Sequence, residues 1–218
     1  MNIVEFYAGS GTISREFKSR GHNTFQIDIR KRKGICEPDL RIDIMDLERK
    51  DIPFEKIDLV WCSFPCQVFS YAAGDFHFKY GDPVSETAHY YIKLLKHTLN
   101  LISELNASVY FIENPRGQLR YIKLLLDWLV KNNGMTKELT YASYDFPSIK
   151  PTNLFTNAHS FTPRPLFGFG RGNKNPLDTF DAMTVCQKQK IPKELAIDIV
   201  NYAEKTIPAF SKSTAPFI

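Results

Sequence analysis

A cysteine and a glutamate, each placed where a strand-like run gives way to a turn, are the residues of this 218-residue chain best placed to do chemistry. Cys66 lies in Ser63-Phe64-Pro65-Cys66-Gln67, directly after the apolar run from Ile57 to Cys62. The carboxyl end of a strand in a parallel sheet is where ligands sit, and Pro65 fixes its own φ and stiffens the turn. A thiol there attacks as the thiolate, which a nearby cation or helix N-terminus favours. A free cysteine is more often a small buried apolar side chain, and that reading suits Cys36, Cys62 and Cys186 better than Cys66. Glu113 closes the apolar run Val109-Tyr110-Phe111-Ile112 and precedes Asn114-Pro115. A carboxyl partly withdrawn from water holds its proton longer and can donate it. Alone, Glu113 reads as an acid that complements a helix start; beside Cys66, one strand over, it reads as the second half of a reactive pair.

Those two turns need a scaffold, and the pattern supplies one. Ile3-Val4-Glu5-Phe6 predicts a strand that ends in the loop Phe6-Tyr7-Ala8-Gly9-Ser10-Gly11-Thr12, and Thr12 to Arg20 predicts a helix closed by Gly21. Strands are predicted over Thr24 to Ile29, Arg41 to Ile44, Ile57 to Cys62 and Val109 to Ile112, with helices over Ser85 to Leu105 and Leu119 to Val130. Lys137 to Ser143 and Thr152 to Asn157 read as a hairpin, and Pro192 to Lys205 as a closing helix. Alternation of this kind predicts one α/β domain over residues 1–218: a Rossmann-like, doubly wound, mostly parallel sheet with an antiparallel hairpin at one edge. Strand, glycine loop, helix and strand, then Asp28, is the order of a nucleotide site, where a carboxylate accepts ribose hydroxyls. Asp43 could meet an adenine amino group. No Gly-Lys-Ser/Thr follows the loop, so a Walker phosphate loop is excluded.

Composition narrows the class. Hydrophobic residues at 43% and charged residues at 24% exclude a disordered chain. No apolar run reaches the ~18–20 residues of a membrane span, and the N-terminus predicts no secretory signal. A cytoplasmic protein with reduced thiols is expected. The four cysteines form neither a CxxC pair nor a metal-spaced cluster, so no metal is expected. A net charge of +4 permits a nucleic-acid partner without demanding one.

With these motifs in hand, the chain resembles the S-adenosylmethionine-dependent DNA (cytosine-5)-methyltransferases. The resemblance covers residues 1–157 and rests on the glycine loop, Asp28, Asp43-Ile44, Pro65-Cys66-Gln67-Val68-Phe69-Ser70 and Glu113-Asn114-Pro115, in the family's order. Amino-methylating enzymes carry an Asp/Asn/Ser-Pro-Pro-aromatic motif where this chain has Phe64-Pro65-Cys66-Gln67. The resemblance implies the class I methyltransferase fold, S-adenosyl-L-methionine as cofactor, Cys66 as nucleophile on cytosine C6 and Glu113 as the acid at N3. It implies cofactor contacts from Phe6, Ala8, Gly9, Gly11, Thr12, Asp28, Ile29, Asp43, Ile44 and Pro65. Gln67, Ser70 and Arg116, beside the two turns, are candidates for DNA contacts, as are Lys150, Arg164 and Arg171.

Three departures mark this chain. Pro115 stands where the family has valine, and a helix start there would tolerate it. The family's Gln-x-Arg-x-Arg, whose arginine holds the cytosine carbonyl, is replaced by Ser148, Lys150 and Thr152 when Tyr144-Asp145-Phe146-Pro147 is matched. In place of a target-recognition domain there is only the short segment 158–191, where Arg164, Phe167, Phe169, Arg171 and Lys174 interleave cations with aromatics. Sequence specificity is therefore expected to be low, very short, or supplied by a partner protein. Three readings stay open: a minimal cytosine-5 methyltransferase, a degenerate relative that binds cofactor or nucleic acid as a subunit, and an enzyme acting on RNA or a free cytosine nucleotide.

Overall fold

The computed structural model describes residues 1–30, 37–70, 75–79, 81–167, 184 and 190–208. Its strands are β1 (Asn2–Phe6), β2 (Asn23–Asp28), β3 (Leu40–Arg41), β4 (Leu59–Ser63), β5 (Phe78–Lys79), β6 (Asp82–Pro83), β7 (Val109–Pro115), β8 (Met135–Thr140) and β9 (Pro151–Thr156). The helices are α1 (Thr12–Ser19), α2 (Glu86–Leu105), α3 (Lys123–Lys131) and α4 (Lys193–Thr206). Seven strands form one sheet in the order β3-β2-β1-β4-β7-β9-β8, while β5 and β6 pair separately. The first five are parallel, and β9 runs antiparallel between β7 and β8. This is the expected doubly wound sheet with an antiparallel edge.

Period-2 alternation sends each strand's side chains to two cores. Val4, Phe6, Val60, Cys62, Tyr110 and Ile112 pack with α2 and α3 on one face. Ile3, Leu59, Trp61, Val109 and Phe111 pack with α1 and α4 on the other. Both faces are covered, which is why the central strands read as unbroken apolar runs. Helix α2 starts where Ser85 accepts the Ala88 N–H and ends at Asn106 in the left-handed region (φ 45°).

Several predicted elements change on inspection. The third strand is shorter than expected, because the Asp43 carboxylate accepts the Met45 N–H and turns Ile44–Asp46 into a 3-10 helix. The helix expected from Leu119 is a 3-10 turn at Gln118–Tyr121 followed by α3. Pro115 starts no helix: it is the last residue of β7, opposite Thr152. The Arg116 N–H reaches the Pro151 carbonyl on β9, so by alternation the Pro115 nitrogen faces the β4 side, beyond the last β4 residue, where no ladder bond is lost. Strand β8 stops at Thr140, and Tyr141–Tyr144 forms a 3-10 turn.

A carboxyl side chain lies within one of the cores. Glu5 on β1 is fully buried beneath α1, and its Oε2 accepts the Ser14 N–H at 2.9 Å. Burial pushes the Glu5 carboxyl up to about 7. Below that value the folded chain keeps a proton that the unfolded chain releases near its ordinary ~4.3. This residue therefore favours folding at acid pH, and its contribution is lost as pH rises through about 7. Glu5→Gln keeps an acceptor for Ser14 and removes the charge. It is expected to change little near pH 4 and to stabilise by about 3 kcal/mol above pH 8. Urea denaturation at both pH values checks this; an equal change at the two would contradict it.

Candidate active site

The carboxyl ends of β4 and β7 are adjacent, with Ser63 paired to Glu113. From there two turns are stitched together. Before the cysteine, the Asn114 side-chain amide donates to the Phe64 carbonyl at 2.8 Å. After it, the Cys66 carbonyl accepts the Phe69 and Ser70 N–H groups, and the Phe69 carbonyl accepts the Gln118 N–H at 2.7 Å. Ser70 also bridges Gly117. A Cβ on Gly117 would lie 2.1 Å from the Phe69 oxygen, so only glycine allows the turns to close this tightly. Phe69 stacks on Phe78 of β5 at 5.0 Å and anchors the turn from below.

Cys66 is half-buried and Glu113 is 4% exposed. Burial pushes the Cys66 thiol up, the charge of Glu113 raises it further, and the Lys150 ammonium pulls the other way. Glu113 Oε1 accepts the Tyr141 O–H at 2.7 Å and lies 3.9 Å from Lys150 Nζ. Cys62, one strand residue before the turn, is fully buried in the α2 core, as its apolar reading predicts.

The glycine loop lies at the end of β1. Tyr7, Gly9 and Gly11 adopt positive φ (53°, 55° and 62°), and the Gly11 N–H closes onto the Ala8 carbonyl. Asp28 grips the loop: its Oδ2 accepts the Gly9 N–H at 2.9 Å and its Oδ1 the Arg30 N–H at 2.8 Å. The Thr98 hydroxyl donates to the Leu94 carbonyl, so the Tyr7 O–H donates to Thr98 and pins the loop to α2. Phe6, Ala8 and Ile44 are buried side chains, so what they can offer a ligand is backbone. Ile29 is 53% exposed beside Asp28, and Thr12 shares a hydrogen bond with Ser10. Two neighbouring tyrosines on α2 connect this region to the cysteine. After burial, the largest influence on the Tyr90 hydroxyl is Asp43, and on Tyr91 it is Cys66; both push it up.

The expected nucleic-acid residues divide. Gln67 is exposed, with its Oε1 accepting from Tyr91, and Ser70 and Arg116 flank the stitched turns. Lys150 stands at Glu113. Arg164 instead lies against α4, where it makes a two-pronged contact with Asp198 (2.9 and 3.0 Å), reaches Glu194 and covers the Tyr144 ring. That pairing matches its charge within the fold. Arg171, Phe169, Lys174, Cys36 and Cys186 lie outside the described residues. Sequence reasoning missed Tyr141, Gly117 and the bond made by Asn114. The available signal for Tyr141 was the missing arginine pair, which means that the pocket's polar contacts differ from the family's.

Comparison with known proteins agrees with this geometry. The family of C-5 cytosine-specific DNA methylases matches residues 1–120, which include both stitched turns and the glycine loop. A protein of Frog virus 3 (isolate Goorha), named a probable DNA (cytosine-5)-methyltransferase, is 23% identical over 178 residues, covering 77% of this chain and 76% of its own. Among solved structures, the Entamoeba histolytica methyltransferase EhMeth superposes with a TM-score of 0.52 at 18% identity, over 72% of this chain and 52% of that one. The S. pombe Dnmt2 methyltransferase gives 0.50 at 16% identity, over 75% and 53%. The chain thus spans about half the length of these solved structures, which share its fold. With more than half of its length matched, including the cysteine turn and the Glu-Asn strand end, the chain belongs to the C-5 cytosine-specific DNA methylase family.

Proposed function

We propose that this chain transfers a methyl group to carbon 5 of cytosine in DNA, with S-adenosyl-L-methionine as donor, Cys66 as nucleophile and Glu113 as acid. The observation that carries it is the pair of hydrogen bonds, Asn114 to Phe64 and Gln118 to Phe69, which fixes the thiol turn to the carboxyl strand.

The crevice suits that donor. Two carboxylates, Asp28 and Asp43, lie at the ends of the second and third strands, beside an exposed Ile29. Acceptors of this kind favour hydroxyls, an amine and a positive charge, and disfavour phosphate. Gly9, Gly11, Asp28 and Asp43 would hold it, with Phe6, Ala8, Thr12, Ile29, Ile44 and Pro65 around them. Bound there, the donor supplies an electrophilic methyl group on sulfur.

The residues then do the following. Cytosine C5 is a poor nucleophile until a group adds at C6. The Cys66 thiolate forms a bond to C6, the ring electrons move to N3, and Glu113 delivers its proton there, leaving an enamine with nucleophilic C5. After C5 is methylated, a base removes the C5 proton, the Cys66–C6 bond breaks, and the N3 proton returns to Glu113. The charge on Glu113 raises the Cys66 thiol, which couples the acid to the nucleophile. The faces of C5 and C6 are stacked in a duplex, so the base must be flipped out; Gln67, Ser70 and Arg116 would then meet the DNA backbone, and Lys150 would face the base.

The test is label transfer from methyl-labelled donor to DNA, RNA and dCMP, followed by trapping with 5-fluorocytosine DNA, whose C5 fluorine cannot be removed as a proton. Label in DNA and a covalent adduct are expected. Donor binding with label in none of the three would replace this proposal with the degenerate-relative reading.

A further inference from the structure

We infer that Tyr141 is a positioning residue, holding the Glu113 carboxyl through its hydroxyl in a pocket that lacks the family's arginine pair. The inference rests on the reaction proposed above and adds a residue to it. Its basis is convergence. Lys150 and Thr152, which occupy the two arginine positions, both converge on the same tyrosine: the Lys150 ammonium sits 4.2 Å from the Tyr141 ring centre, and the Thr152 hydroxyl donates to the Lys150 carbonyl that also accepts the Tyr141 N–H. The Tyr141 phenol in turn donates to Glu113 Oε1 at 2.7 Å. A guanidinium combines charge and directed donors in one planar group. Here the two are separate, with the charge on Lys150 and the directed donor on Tyr141.

The backbone is bent to make this possible. Strand β8 ends one residue before Tyr141, whose N–H is shared between the carbonyls of Ile149 (2.9 Å) and Lys150 (3.3 Å). Lys150 is held at φ 30°, a strained conformation for a non-glycine residue. The Tyr141 side chain is itself fully buried. With Oε1 occupied by the phenol, Oε2 is the oxygen left to carry the proton toward a base.

Tyr141→Phe tests this, since it keeps the ring that Lys150 covers and removes only the donor. Two duplexes are compared: one with cytosine at the target, the other with 2-pyrimidinone, whose C6 accepts a thiolate more readily without the amino group. The readout is the rate of covalent adduct formation, with 5-fluorocytosine as the cytosine probe. For the variant, about a thirtyfold loss is expected with the cytosine probe, against less than about threefold with 2-pyrimidinone, and unchanged donor binding. Equal losses with both probes would mean that the tyrosine only supports the fold, and no loss with either would mean that it does not position Glu113; each result overturns the inference. Failure of the wild-type protein to form either adduct would instead defeat the proposed reaction itself.

Discussion

Cys66→Ser is expected to lower methyl transfer by more than about a thousandfold while donor binding is kept. A serine hydroxyl is far harder to ionise than a thiol, and this site makes anions harder still, since burial and the charge of Glu113 both push the Cys66 thiol up. The exchange is nearly isosteric, and the turn is held by main-chain and Asn114 bonds in which sulfur takes no part. The donor crevice is braced independently by Asp28 on Gly9 and by Tyr7 on Thr98. Label incorporation and calorimetric titration of the donor, on the same preparation, separate the two effects. Transfer at the wild-type rate would remove Cys66 from the mechanism.

Most of the framework is legible because it is local. Strands buried on both faces must be apolar throughout, so Val60 to Cys62 and Val109 to Ile112 stand out as runs without reference to anything distant. Cys66 and Glu113 can be placed at one sheet edge because parallel strands put their carboxyl ends together. What escapes is whatever depends on pairs far apart in the chain. Nothing near Tyr141 says that β8 will stop short and turn its phenol onto a carboxyl 28 residues earlier. Nothing near Arg164 announces Asp198, the carboxylate on α4 that pairs with it 34 residues later. The Asp43 cap that shortens β3 is visible only as an Asx turn competing with the ladder.

The second large effect is expected at the carboxyl. Glu113→Gln preserves shape and removes the transferable proton, and transfer should fall by about a hundred- to a thousandfold. Orientation makes the outcome specific. The Tyr141 O–H requires an acceptor, so the glutamine carbonyl takes the Oε1 position and its NH2 takes that of Oε2. That NH2 can still hydrogen-bond ring N3, so the flipped base is held as before, and the loss is expected in kcat with little change in KM for DNA. The variant also removes the negative charge that raises the Cys66 thiol, so thiol alkylation by iodoacetamide at neutral pH should become faster while methyl transfer becomes slower. Opposite movement of the two rates is what a shared thiol–carboxyl site requires. Parallel slowing would show Glu113 to be a support for the turn, and unchanged alkylation would show that its charge does not reach Cys66.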